Sequence, residues 1–231
     1  MAIGKRPPVL VLGPVKAGFL GGVASFTRGH VANRVLLDEF RIEVLDSVSR
    51  RFPDSGLAGR LINSVWLVAA LVVRLLSRRI NIVHVHCSAG GSFYQKALLA
   101  LLARCLGKAT VLHLHVGRFS EFYAQSLLKP LVRVALCSAS RVAVVSDELK
   151  SFVERECGCG ATLIPNFADE AFFEINSDPP AAEDIVFLGL LSTNKGISTL
   201  LDALGKIRKA GFANRLLLAG ITHGQYRRDG V

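Results

Sequence analysis

The stretch Val186–Ala203, VFLGLLSTNKGISTLLDA, decides how this chain is read. It opens with a continuous apolar run and passes through the polar turn Ser192-Thr193-Asn194. Lys195-Gly196 then leads into Leu200, Leu201, Leu204 and Ile207 at helical spacing. A buried strand, a turn and an amphipathic helix in that order make one βα unit. Backbone N–H groups at a helix start attract anions, and Lys195 adds a full positive charge beside them. Such a turn suits a phosphate.

The same alternation fills the chain upstream. Apolar runs predict strands at 9–13, 42–47, 82–87, 110–115, 141–145 and 161–164. Helical patterns fall at 23–37, 57–78, 93–106, 121–139 and 147–156. Unbroken Val/Ile/Leu runs suit parallel strands covered on both faces, and their alternation with helices predicts a doubly wound α/β domain. Residues 176–184 are polar, carry two prolines and lack periodicity, so they read as a linker. Beyond them the pattern restarts with a strand at 185–191, a helix at 195–210 and a strand at 215–219. The expected organisation is a complete Rossmann-like domain at 1–175, the linker, and the start of a second domain at 185–231. The final residues, GITHGQYRRDGV, lose apolar periodicity and read as a shortened end.

Composition narrows the partners. A net charge of +10 favours phosphate-bearing ligands or anionic surfaces, and 51% hydrophobic residues provide material for a core. Aromatic residues are only 7%, and no base-reading motif is visible, so nucleic acid is not expected. Five cysteines (Cys87, Cys105, Cys137, Cys157, Cys159) with no secretory signal predict reduced thiols in a cytoplasmic protein. The longest apolar run, 61–76, is interrupted by Asn63, Ser64 and Arg74 and falls short of the ~20 residues that cross a bilayer. It reads as a core helix, or as one that also leans on the inner face of the cytoplasmic membrane.

The chemistry-bearing residues cluster at strand ends. Gly13-Pro-Val-Lys-Ala-Gly18-Phe-Leu-Gly21-Gly22 follows the first strand and lacks both G-x-G-x-x-G and the P-loop spacing. A dinucleotide site and an NTPase loop are therefore disfavoured, while close backbone approach to a phosphate or sugar stays open. His84/His86 and His113/His115 each share one sheet face by the strand's period of two. Supporting carboxylates and an i,i+4 helical pair are missing from the pattern, so no metal and no other cofactor is expected. One histidine, His115, is best placed to donate to a substrate hydroxyl or phosphate, with the others packed and hydrogen-bonded. Arg118 reads equally as a phosphate clamp or a surface charge, and Asn166 favours a tight turn. Glu148 and Glu156 fall about 80° apart around a helix and read as solvated charges.

Taken together these pieces resemble the family 4 glycosyltransferases, retaining enzymes of the GT-B fold. The resemblance rests on Gly21-Gly22-Val23-Ala24, Ile82-Val-His-Val-His86, Leu112-His-Leu-His115, Val144-Val-Ser146-Asp-Glu-Leu-Lys150, Ile164-Pro-Asn166 and Phe187-Leu-Gly189 through Lys195-Gly196. It implies metal-independent transfer of a sugar from a nucleotide-diphosphate donor to a glycan or lipid-linked acceptor. Gly21, Gly22, Arg118, Asn166 and Gly196 would bind donor or acceptor, with His115 and Lys195 as the catalytic pair. Leu190 stands where family members carry an arginine, and the family's E-x7-E region would fall beyond residue 231. The alternative expectation is a non-catalytic chain, either a remnant or an acceptor-binding subunit.

Overall fold

A computed structural model describes residues 6–16, 21–48, 56–77, 80–168, 173, 184–211 and 213–220. The expected turn around Gly18, the linker up to residue 183 and the tail after Gly220 lie outside the described residues. The chain divides into two compact units, Met1–Ala168 and Asp169–Val231.

The first unit is a doubly wound parallel domain. Its strands are β1 (Pro8–Gly13), β2 (Arg41–Asp46), β3 (Ile82–Cys87), β4 (Ala109–Leu114), β5 (Arg141–Val144) and β6 (Ala161–Leu163). They form one sheet in the order β2-β1-β3-β4-β5-β6, and every pairing is parallel. The connecting helices are α1 (Gly22–Ala32), α2 (Arg34–Glu39), α3 (Gly56–Ser77), α4 (Gly91–Cys105), α5 (Phe119–Gln125), α6 (Lys129–Ser138) and α7 (Asp147–Phe152). The strand order reverses between β1 and β3. Ligands of open α/β sheets bind outside the carboxyl ends of the strands at such a switch point.

Three expected helices break, each for a local reason. The helix expected at 23–37 stops at Asn33, which is extended and caps α2 by accepting from the Leu36 N–H. The one expected at 121–139 divides at Ser126, whose hydroxyl accepts from the Leu128 N–H ahead of Pro130 in the first turn of α6. After α7 the chain passes into a π-helical turn, Val153–Cys157, and Gly158 ends it in the left-handed region. Glu148 and Glu156 are exposed, as expected of solvated charges.

The sheet separates two different layers. On the α3/α4 side Val83, Val85, Cys87, Leu112 and Leu114 meet Leu67, Leu71, Phe93, Ala97 and Ala100 in an aliphatic and aromatic core. The other face carries the histidines beneath α1. Gly13 ends β1 there, and a Cβ at this position would lie 3.0 Å from the Thr27 side chain and 3.2 Å from the His86 ring. The missing side chain is what lets α1 sit close on the sheet. Thr27 is fully buried and donates back to the Val23 carbonyl at 2.7 Å.

The α3 helix is a core helix on one stripe only. Leu67, Leu71 and Leu75 are buried, whereas Leu57, Leu61, Ile62, Val65, Val73 and Leu76 are exposed. By length and composition it could cross a membrane, and only 17% of its most apolar window is buried.

In the second unit β7 (Ile185–Leu188) and β8 (Leu216–Ala219) pair in parallel around α8 (Ile197–Lys209). Asp184 and Arg215 close the edge with contacts of 2.7 and 3.1 Å. The expected strand at 185–191 ends at Leu188, because Gly189 takes a φ of 149° before a short 3-10 turn, Thr193–Lys195. Gly196 ends that turn and starts α8 at a φ of 80°, a left-handed conformation that favours glycine.

Candidate functional site

Five of the six histidines converge on one side of the sheet. His84 and His86 project from β3. His113 stands on β4, cross-strand to His86, and His115 lies just beyond the strand's last residue. The His115 N–H nonetheless donates to the Cys87 carbonyl at 3.0 Å, continuing the ladder. His30 comes down from α1 to join them, its ring 4.8 Å from that of His84 and 5.3 Å from that of His86. Phe26, one turn after Gly22, packs on His115 at 4.6 Å and His113 at 5.0 Å, and Phe167 covers it at 4.7 Å.

The imidazoles bond to one another. His86 Nδ1 lies 2.8 Å from His115 Nε2, and His84 Nε2 lies 3.3 Å from His113 Nδ1. The expectation that the remaining histidines are fully hydrogen-bonded is wrong: His86 Nε2 is buried with no hydrogen-bond partner among the described residues. A two-residue period aligns four rings on one face but offers too few acceptors for eight ring nitrogens. Burial strips water from the rings and disfavours their charged forms. It pushes His115 down to about 4 and His113 to about 3, and holds His84 and His86 well below the ordinary imidazole value. All four are therefore neutral at physiological pH. The Asn166 side chain bonds to His115 and acts in the opposite sense. His115 and Asn166 thus form a neutral donor–acceptor pair past the carboxyl end of β4.

Two residues absent from the sequence reading belong here. One is His30; the other is Lys96, buried in α4 and close enough to depress His115. Burial lowers the Lys96 amine, partly offset by Cys87 and Asp46. Arg118, by contrast, faces outward and pairs with Glu121 one turn on, at 2.6 and 2.7 Å. Gly21 and Gly22 form the start of α1, and among the described residues nothing lies within 4 Å of where a Gly22 Cβ would be. Lys195 and Gly196 stand in the second unit at the start of α8. All five cysteines are free, with Cys87 and Cys157 buried.

Beside the carboxyl ends of β2 and β3 a cavity of about 590 Å³ opens between α3 and α4. Asp46, Asn63, Ser64, Ser88, Ser92 and Gln95 line it together with Arg60 and Trp66. Gln95 Nε2 donates to Ser64 Oγ at 2.9 Å, tying the two helices across its wall. Asp46 accepts from the Val48 N–H at 3.0 Å and the Val15 N–H at 3.3 Å. Hydroxyls, amides and a carboxylate around one indole give the cavity a mixed polar and apolar lining suited to a polar small molecule.

Residues 23–172 match the family model of Glycosyltransferase Family 4. The chain belongs to glycosyltransferase family 4. The match covers α1 through the end of the first unit, which makes the histidine layer and the polar cavity features of a glycosyltransferase domain. No curated protein sequence matches this glycosyltransferase. Among solved structures it is similar to Phytolacca americana UGT2 complexed with UDP-2fluoro-glucose and pterostilbene. That likeness spans 92% of this chain and 71% of the plant chain, at 12% identity and a TM-score of 0.47.

Proposed function

We propose that this glycosyltransferase moves a sugar from a nucleotide-diphosphate donor to a glycan or lipid-linked acceptor of an envelope polysaccharide, with retention at the anomeric carbon. The observation that carries this reading is the polar cavity at the carboxyl ends of β2 and β3 in a family 4 chain. Asn63, Ser64, Ser92 and Gln95 bind acceptor hydroxyls there. His115, neutral and held between His86 and Asn166, exchanges its bond to Asn166 for one to a donor-sugar hydroxyl or phosphate. Backbone N–H groups at the start of α1, beside Gly21 and Gly22, meet the donor phosphates. Arg118 is held by a single exposed carboxylate, a weak tie that leaves it able to swing onto a phosphate.

Lys195 and the first N–H groups of α8 neutralise the departing diphosphate. Charge that develops at the leaving group is stabilised by a cation already in place. Gly196 leaves the start of α8 without a side chain, which suits backbone contact with an anion. No metal takes part in the transfer step. The purified chain, given nucleotide-diphosphate sugars and a polyprenyl-phosphate or oligosaccharide acceptor, is expected to transfer or hydrolyse the donor. Lys195→Ala is expected to lower that rate by about 100-fold, the scale of losing one preorganised charge contact. An unchanged rate in Lys195→Ala would remove the leaving-group role. Absence of both turnover and saturable donor binding would favour the non-catalytic alternative.

The exposed face of α3 supports a working place at the inner face of the cytoplasmic membrane. Leu57, Leu61, Val65 and Leu76 form the apolar contact, and the net charge of +10 supplies attraction to anionic headgroups. Co-sedimentation with phosphatidylglycerol vesicles is expected to fall at least fivefold in Leu61→Asp/Val65→Asp, with the circular dichroism spectrum unchanged. Equal sedimentation of variant and wild type would remove α3 as the contact.

A further inference from the structure

We infer that His30, His84 and His86 form a binding site for a divalent ion of the zinc class. The three side chains each bring one ring nitrogen to within 4.8 Å of the other two. Two ligands two residues apart on β3, with a third from a neighbouring element, make a three-imidazole set with a fourth position open. With Zn–N bonds of ~2.1 Å in tetrahedral array, the ring centres of three ligating imidazoles lie about 5 Å apart. The observed separations are 4.5 Å for His84–His86, 4.8 Å for His30–His84 and 5.3 Å for His30–His86.

The hydrogen bonds around the triad select which nitrogens face the ion. His84 Nε2 is engaged by His113 and His86 Nδ1 by His115, which leaves His84 Nδ1 and His86 Nε2. His86 Nε2 is buried with no hydrogen-bond partner among the described residues. A ligating histidine held through its second nitrogen by another group is the usual arrangement around protein-bound metals. Here His113 and His115 supply that outer support. All the ligand atoms are imidazole nitrogens, a set that suits zinc, copper or nickel rather than magnesium or calcium. A cavity of about 160 Å³ walled by Val9, Leu36, Phe40 and Ile42 adjoins His30 and His84 and provides access.

The ion ties α1 to β3. With His86 Nε2 on the metal, its Nδ1 carries the proton and donates to His115 Nε2, which fixes the tautomer of His115. The site does not depend on the transfer reaction: it stands on the histidine geometry alone.

The test is isothermal titration of the chelator-stripped full chain with Zn²⁺. One ion per chain is expected, with affinity weakened at least tenfold in His30→Ala and in His84→Ala and unchanged in Cys159→Ser. His30 is only half buried on α1, and equal melting temperatures of His30→Ala and wild type in chelator establish that the variant is folded. The Co²⁺-loaded wild type, which needs no substitution, is expected to show d–d bands without thiolate charge-transfer absorption. Failure to bind Zn²⁺, affinity that survives His30→Ala, loss of binding in Cys159→Ser, or a thiolate band would each overturn the site.

Discussion

In chelator, the unfolding free energy of the metal-free chain is expected to be nearly level between about pH 7 and 8 and to fall steeply as the pH drops through 5 towards 4. The sign follows from the histidine layer. Folded His113 and His115 titrate near 3 and 4, and His84 and His86 also lie well below 6.5, the value they regain on unfolding. Below that value the unfolded chain binds protons that the folded chain refuses. The stability present at neutral pH is therefore lost progressively as the pH falls towards the folded values. Each histidine protonated only in the unfolded state adds a slope of about 1.4 kcal/mol per pH unit. Several acting together can consume much of a typical domain's stability of about 5–15 kcal/mol.

Around the layer, His30 from α1 and Lys96 from α4 disfavour added positive charge. The Asn166 side chain and the Ile164 backbone act the other way. Urea unfolding at pH 8, 6, 5 and 4.5 reads the effect directly. A midpoint that does not move between pH 6 and 4.5 would mean the rings are not buried as neutral imidazoles.

The second large effect is expected at His115. Replacing it with alanine is expected to lower kcat/KM for sugar transfer by roughly 100- to 1,000-fold, the range for removing one donor aimed at developing charge. His115→Gln keeps a neutral donor and is expected to recover part of that loss. The wild-type rate is expected to show no inflection from His115 between pH 6 and 8, since burial pushes that ring down to about 4. Activity of His115→Ala within threefold of wild type, or equal losses in the alanine and glutamine variants, would remove its donor role.

Much of the first unit is legible in the chain. Unbroken runs such as Val9–Leu12 and Ile82–Val85 can be buried only between two helical layers, so their alternation with helices already dictates a parallel sheet. The period of two placed His84 with His86 and His113 with His115 on common faces. Helix breaks at Asn33 and Ser126 were missed, although both residues cap through their side chains and leave a signal in the sequence. Arg118 and Glu121 are spaced one helical turn apart, so their pairing was also within reach.

Lys96 and His30 were not. A lysine in the middle of an amphipathic helix reads as solvated until packing buries it, and here α4 turns it towards Cys87 and Asp46. His30 sits far along the chain from β3, and only the close seating of α1 over Gly13 brings it to His84. The sequence by itself determined the doubly wound α/β class and the facing of each histidine pair, because side-chain period and apolar patterning are local properties. Tertiary structure alone decided that five imidazoles share one dehydrated layer, because that depends on how near α1 approaches the sheet. That distance is set by contacts between residues remote in the chain, and the loss of water it causes sets the charge of every ring.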